Sequence, residues 1–377
     1  MKLTLQIKLL PTYEQVEILK DTFGVFNEAC NVISQIAWER CVFKQFDLHK
    51  EVYCLIKETY HLSSQLVVHA ISKVANAYKS YRNKKRYFRK LGSITYDRRV
   101  LSYKISKSIC SISLIKGREK IAYICYRPHL MQFAKGEADL VFIRGKFYIY
   151  QTIEIPDERE NDVDDFIGVD MGITDIVSIS DGTNISSNEV KNIRDKYNKV
   201  RASIQSKGTR NCHKLLKRLR GREGGFATIV NHSISKWLVA KAKKENKGIA
   251  IEDLKNIRFG MNSKKRNKTF RRRSNSWSFY QLRSFLEYKC KMNGVKIIAV
   301  PPAYTSQTCH ECKHIGIRNG KRFHCKYCGN IADADINAAM NIAIWGYVNT
   351  HERWELLSCS IHDDVSTSKT HKSLVYG

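Results

Sequence analysis

Leu3, Leu5, Ile7 and Leu9 alternate with polar residues, the period-two spacing of a strand with one buried face. Pro11 and Thr12 interrupt it. Val16, Leu19, Phe23, Phe26 and Cys30 then recur at helical spacing through EQVEILKDTFGVFNEACNVISQIAWERCVF. Helical character resumes in SSQLVVHAISKVANAYKSYRNKKRYFRK. From residue 92 to 155 the pattern returns to strands, with IRGKFYIYQTI reading as a hairpin that turns at Gly145. A lone strand, a helical stretch and a run of strands predict a small β-barrel built from 1–10 and 92–155, interrupted by a helical insert over 11–91.

PDERENDVDD, residues 156–165, is acidic and aperiodic and reads as a linker. Beyond it, FIGVD is a short apolar strand ending in Asp170. Gly172 turns the chain, DIVSIS runs back, and Asp181-Gly182 turns it again. A basic helical region covers 189–247, and GIAIE is a buried strand with Glu252 at its end. WSFYQLRSFLEYKCKMNG is an amphipathic helix, and VKIIAVPP another buried strand. Strands and helices alternate from 166 to 350, which predicts an α/β domain; the tail, 351–377, is polar and carries no motif.

Composition narrows the function. Lys and Arg number 65 against 36 acids, a net charge of +29. A compact fold with that excess repels itself unless a polyanion neutralises it, so nucleic acid is the first partner to expect and an acidic membrane the second. No window approaches the ~20 apolar residues of a membrane span, and the first residues lack a signal peptide, so a cytoplasmic protein without membrane partner is expected. In a reducing compartment paired cysteines indicate metal rather than disulfides. Cys309, Cys312, Cys325 and Cys328 form two Cys-x-x-Cys pairs, a donor set that satisfies structural Zn²⁺ with no open position.

A second constellation is built from oxygen. Asp170 and Glu252 end buried strands, and Asp333 or Asp335 precedes the helix INAAMNIAIWG. Acids at strand ends can converge on one crevice and hold Mg²⁺ or Mn²⁺. Asp175, Asp181 and Asp253 read as turn or surface acids. Two segments are rich in cations. Residues 255–273 carry Lys264, Lys265, Arg266, Arg271, Arg272 and Arg273, which suit phosphate contacts or a solvated charge run. The stretch around Tyr78, Tyr81, Tyr87 and Phe88 mixes bases with aromatics, which suits a nucleic acid, or a solvated helix face over packed rings.

FIGVDMGITDIVSISDG, IAIEDLKNI, FLEYKCKMNGVKIIAVPPAYTSQTCHECK and FHCKYCGNIADADINAAMNIA, together with the N-terminal LQIKLLPTYEQVEILKDTFGVFNEACN, resemble in order the signature segments of TnpB proteins. These are transposon-encoded RNA-guided nucleases related to type V CRISPR effectors. The resemblance implies a RuvC-like nuclease domain of ribonuclease H fold over 166–300 and 331–350, and a zinc-ribbon module inserted at 301–330. It also implies a wedge-like β-barrel and a helical recognition bundle. By the same resemblance Asp170 and Glu252 match the first two catalytic acids, and Asp335, directly before x-Asn-Ala-Ala, matches the third. Guide RNA and double-stranded DNA are the implied partners, structural Zn²⁺ and catalytic Mg²⁺ or Mn²⁺ the implied cofactors. A nuclease-dead repressor, a plain zinc-ribbon DNA-binding protein and a miniature CRISPR-associated effector are the competing readings; the first is disfavoured because all three acids are present.

Overall fold

The computed structural model describes residues 1–80, 82–172, 174–253, 279–302 and 304–352, in two compact units, Met1–Pro156 and Asp157–Gly377. The cationic segment with Lys264, Lys265, Arg266, Arg271, Arg272 and Arg273, and most of the C-terminal tail, lie outside the described residues.

In the first unit β1 (Lys2–Leu10) leads into α1 (Tyr13–Glu39). Thr12 and Gln15 form a reciprocal capping box, each side chain bonding the other's backbone N–H at 3.3 and 3.2 Å. Helices α2 (Gln45–Tyr60) and α3 (Ser64–Ser80) follow, then strands β2 (Ile94–Tyr96), β3 (Leu101–Lys104), β4 (Ile109–Leu114), β5 (Gly117–Cys125), β6 (Ala138–Ile143) and β7 (Lys146–Glu154). The strands form one antiparallel sheet in the order β2-β6-β7-β1-β5-β4-β3, so the first strand of the chain lies at its centre, with Ile7 opposite Ile149 and Cys125. The sheet curls strongly. Tyr96 on edge strand β2 donates to the Ser113 carbonyl of β4 at 3.0 Å, although four strands lie between them in the order. The β6–β7 turn is made by Arg144 and Gly145, both at positive φ (51° and 78°), the two-residue turn whose twist matches paired strands.

The helical pattern read through residue 91 stops at Ser80. Residues 82–93 adopt no helix or strand, because side chains of α1 and α3 capture their backbone groups.

The second unit contains β8 (Phe166–Asp170), β9 (Asp175–Ile179), β10 (Asn184–Ser186), α4 (Asn188–Lys207), α5 (Arg210–Glu245), β11 (Gly248–Glu252), α6 (Phe279–Asn293), β12 (Ile297–Val300), β13 (Ile317–Asn319), β14 (Arg322–His324), β15 (Ile331–Asp333) and α7 (Ala334–His351). The basic region read as one helical stretch is two helices, broken where Gly208 takes a φ of 62° and Thr209 caps α5. Strands β8 to β12 form a mixed sheet in the order β10-β9-β8-β11-β12, antiparallel on the β10 side and parallel across β8, β11 and β12.

Alternation along β8 and β11 sorts the two faces. Ile167, Val169, Ile249 and Ile251 pack with Leu238, Val239 and Ala242 of α5 and Leu282 and Leu286 of α6. Phe166 and Ala250 face Ile342 of α7. Gly168 and Gly346 permit that second contact. A Cβ on Gly168 would lie 1.9 Å from the Ala339 carbonyl oxygen, and one on Gly346 would lie 2.8 Å from the Ala250 methyl. By the same period of two, Asp170 follows Gly168 and Glu252 follows Ala250, so both acids lie on the α7 face.

Candidate functional site

The register Ile251↔Val169 between parallel strands places the next residues, Glu252 and Asp170, side by side at the C-terminal ends of β11 and β8. Asp335 enters from the first turn of α7 and is 8 % exposed. The three carboxylates therefore lie at one largely buried end of the sheet, close enough for the charges of Glu252 and Asp335 to act on Asp170. Burial pushes the Asp170 carboxyl up to about 8, with the charges of Glu252 and Asp335 adding to the rise and Arg318 opposing it. Burial also raises Glu252, against the pull of a hydrogen bond from the Thr305 hydroxyl at 2.5 Å. Asp335 is raised by burial first, against the Arg318 guanidinium, which donates to its Oδ1 at 2.7 Å.

Asp333 has a different task. It is the N-cap of α7, and its Oδ1 accepts from the N–H groups of Asp335 at 2.9 Å and Ile336 at 3.2 Å. The helix begins at Ala334, so Asp335 sits inside its first turn rather than before it. Asp175, read as a turn or surface acid, is 5 % exposed at the start of β9 and is ion-paired with Lys321. Asp181 does hold a turn, accepting from the Thr183 N–H at 2.9 Å, and Asp253 pairs with Arg283.

The four cysteines lie immediately upstream. Among the described residues they form the one group of three or more metal-ligating side chains whose donor atoms all lie within 4.8 Å of one another. Sγ–Sγ separations are 3.7 Å for Cys309–Cys328 and 3.5 Å for Cys312–Cys325. Four sulfurs ~2.3 Å from one Zn²⁺ stand about 3.8 Å apart by tetrahedral geometry, so these thiols fit that ion. Cys309 and Cys325 are buried against Phe323 and Ala334. The Cys309 thiol is lowered to about 7: burial raises it, but N–H donors from Cys312 and Glu311 and the Asn330 amide outweigh that effect.

The thiol module is tied to α7 at several points. Asn337 accepts from the His310 N–H at 3.0 Å and donates to the Thr308 carbonyl at 2.8 Å, and Asn341 donates to Thr305 and Thr308 carbonyls at 2.9 and 2.7 Å. Strand β15 ends at the residue that caps α7, so thiols and carboxylates share one continuous piece of backbone. His310 is partly buried in this network.

Arg318 and Thr305 were not singled out in the sequence. Thr305 lies inside the quoted PPAYTSQTC; Arg318 occupies a short polar hairpin, where nothing marks it off from neighbouring bases.

Residues 279–342 match the family model "Cas12f1-like, TNB domain". A TnpB-like protein of Methanocaldococcus jannaschii is 37% identical over 164 residues, covering 42% of this chain and 58% of that protein. The CRISPR-associated endodeoxyribonuclease Cas12f1 of Sulfoacidibacillus thermotolerans is 33% identical over 222 residues, covering 53% and 50%. The chain thus spans little more than half the length of these relatives. In fold it is similar to CasPhi-2 (Cas12j) bound to crRNA, with a TM-score of 0.56 at 9% identity over 92% of this chain and 98% of that one. The matched family segment begins with α6 and runs through all four thiols to beyond Asp335, and a TnpB-like protein is among the relatives: over about half of its length the chain is similar to TnpB-like and Cas12f1 proteins.

Proposed function

We propose that the chain is a transposon-encoded, RNA-guided DNA endonuclease that hydrolyses phosphodiesters at a RuvC-like, metal-dependent site. The observation that carries this reading is the placing of Asp170, Glu252 and Asp335 on the α7 side of the sheet, where burial first and the charges of Glu252 and Asp335 second push Asp170 up to about 8. Glu252 and Asp335 both act against the charge of Asp170, a divalent cation relieves that repulsion, and an all-oxygen donor set of this kind suits Mg²⁺ or Mn²⁺. When bound, such ions supply an activated water and charge stabilisation at the scissile phosphate.

The chain's own residues do the rest. Thr305 fixes the Glu252 carboxylate by its hydroxyl, and Arg318 offsets part of the negative charge next to Asp335. The close seat of α7 on Gly168 and Ala250 sets how near Asp335 comes to the strand ends. The mixed sheet, ordered third, second, first, fourth and fifth in chain sequence with helices on both faces, supports a ribonuclease H fold over 166–300 and 331–350. In this reading 301–330 is the module closed by Zn²⁺ on Cys309, Cys312, Cys325 and Cys328. The curled sheet of 1–10 and 92–155 is the wedge-like barrel, and 11–91 the helical recognition bundle. The net charge of +29 is matched by guide RNA and double-stranded DNA, with Lys264, Lys265, Arg266, Arg271, Arg272 and Arg273 contacting phosphates. Pairing between guide and target reads the sequence, while the protein reads a short flanking motif.

The test is to sequence RNA that co-purifies with the chain, then assay Mg²⁺-dependent cleavage of DNA carrying the matching target beside a randomised flank. Absence of bound RNA together with absence of guide-dependent cutting overturns the proposal.

A further inference from the structure

The irregular stretch after α3 is held more firmly than its lack of secondary structure suggests. Along α1, Asn27, Asn31 and Ser34 stand one and two turns apart and form a polar ladder. Asn31 pairs with Phe88 as a strand would: its amide donates to the Phe88 carbonyl at 3.0 Å and its Oδ1 accepts the Phe88 N–H at 2.7 Å. Ser34 donates to the Arg86 carbonyl at 2.7 Å, and the Tyr78 hydroxyl accepts the Arg86 N–H at 3.1 Å. Asn27 donates to the Gly92 carbonyl at 2.9 Å, and Lys73 donates to Asn27 Oδ1 at 2.9 Å. Asn27, Ser34 and Tyr78 are fully buried. Gly92 completes the fit, since a Cβ there would lie 2.9 Å from Asn27 Oδ1.

The bonded residues are 86, 88, 90 and 92, Asn27 also donating to the Lys90 carbonyl at 3.4 Å, so alternate peptide groups face α1. Tyr87 and Arg89 lie between them, and Lys84 and Lys85 precede the bonded run. Lys84, Lys85, Arg89 and Lys90 are exposed, and Tyr87 is 80 % exposed. Among the described residues none of these four cations is paired with a carboxylate, and the Tyr87 and Arg89 N–H groups have no protein acceptor. Polar side chains in the core are costly unless they have partners. Here their partners are the backbone of a segment that presents unneutralised charge and a bare aromatic ring to solvent.

We propose that residues 84–90 are a pre-set cradle for an unpaired polynucleotide strand, with Lys84, Lys85, Arg89 and Lys90 on phosphates, Tyr87 stacked on a base, and the Asn27–Asn31–Ser34 ladder as the splint that fixes them. An aromatic ring between cations suits a strand whose bases are free to stack, and not a duplex whose bases are covered. The choice of polynucleotide over another polyanion rests on the nucleic-acid reading above.

The experiment uses the full chain with short mixed-sequence RNA, single-stranded DNA and duplex DNA, in the presence of a chelator to prevent cutting. Binding of either single strand protects Lys84, Lys85 and Lys90 from amine acetylation read by mass spectrometry. Exchanging Lys85, Arg89 and Lys90 for Gln lowers the slope of log affinity against log salt by about 2. Tyr87→Ala weakens binding roughly fivefold or more at unchanged slope. Asn31→Ala keeps every charge and also weakens binding, with circular dichroism confirming that the helices remain. If the chain binds single strands while these lysines stay equally reactive, the cradle is wrong and the nuclease reading stands. If duplex protects them better than either single strand, the unpaired-strand assignment is wrong. A chain that binds none of the three polynucleotides overturns both.

Discussion

Arg318 donates to Asp335 at 2.7 Å, which fastens the hairpin beside the thiol cluster to the carboxylate on α7. The same guanidinium also opposes the rise of Asp170 and Glu252, so one exposed-hairpin residue tempers all three acids. Arg318→Gln removes that cation, and the three carboxyls then rise further. The expected outcome is that the pH midpoint for Mn²⁺ binding, followed by electron paramagnetic resonance, moves upward. An unmoved midpoint would show that Arg318 is electrostatically silent at the site.

Asp170 makes the pH dependence specific. Its folded value, about 8, lies above the unfolded 3.8, so the folded chain holds the proton more tightly. The group costs no stability below 3.8, costs progressively more as pH rises toward about 8, and adds no further cost above that. Glu252 and Asp335 shift in the same direction. Metal-free protein therefore loses stability from about pH 4 to about pH 8, and Asp170→Asn flattens the loss. Divalent-cation affinity runs the other way, because the ligand must shed its proton, and it strengthens with pH until about 8. Urea midpoints and Mn²⁺ titrations at several pH values check both slopes.

The thiol cluster supports the carboxylates by chain continuity. Cys325→Ser removes one of four ligands from a site whose metal energy is folding energy. Purified wild-type chain is expected to hold about one Zn²⁺, by the four-thiolate stoichiometry. The variant should lose it and melt at a lower temperature. Because β15 feeds α7 and Asn337 and Asn341 tie the module to that helix, Mn²⁺ binding should weaken as well. A metal-free preparation with unchanged melting and unchanged Mn²⁺ affinity would refute this coupling.

Much of this was legible in the sequence where two constraints coincided. FIGVD and GIAIE are apolar runs that end in an acid, so strand and donor are read together, and a period of two places both acids on one face. Cys-x-x-Cys spacing is equally local. What escaped depends on long-range partners. The end of α3 at Ser80 is decided by Asn27, Asn31 and Ser34, which look like ordinary polar positions of α1. Asp175 follows a turn in the sequence, yet it is buried against Lys321, 146 residues away. Arg318 is one base among many until the hairpin folds back on α7.

Gly168 tests how tightly α7 must sit. Alanine there would bring a Cβ to 1.9 Å from the Ala339 carbonyl and 2.5 Å from the Ala343 nitrogen, both backbone atoms that cannot rotate away. Gly168→Ala is expected to cost about 3 kcal/mol, at the upper end for overpacking. Gly225→Ala is the control, since it lies inside α5 with nothing within 4 Å of its Cβ. It should stabilise by about 0.5–1 kcal/mol. Urea unfolding of the two variants should therefore shift in opposite directions.

The assignment of the third acid separates two neighbouring carboxylates by what each touches. Asp333 spends an oxygen on the N–H groups of Asp335 and Ile336, so Asp333→Ala is a lost helix cap, worth about 1 kcal/mol. Asp335 acts on Asp170 by its charge, and its carboxylate is held by a side chain, Arg318, rather than by backbone. Asp335→Ala should leave the melting temperature within a few degrees of wild type and abolish guide-dependent DNA cleavage with Mg²⁺, as should Asp170→Ala and Glu252→Ala. Asp333→Ala should melt lower and still cut. Polynucleotide binding should survive in all four, because the basic surface holds the strands. If Asp333→Ala is the inactive, well-folded variant and Asp335→Ala still cuts, the metal ligand is the cap residue and the role given to Asp335 is wrong. If Asp170→Ala cuts normally, the meeting of three carboxylates is not the active site.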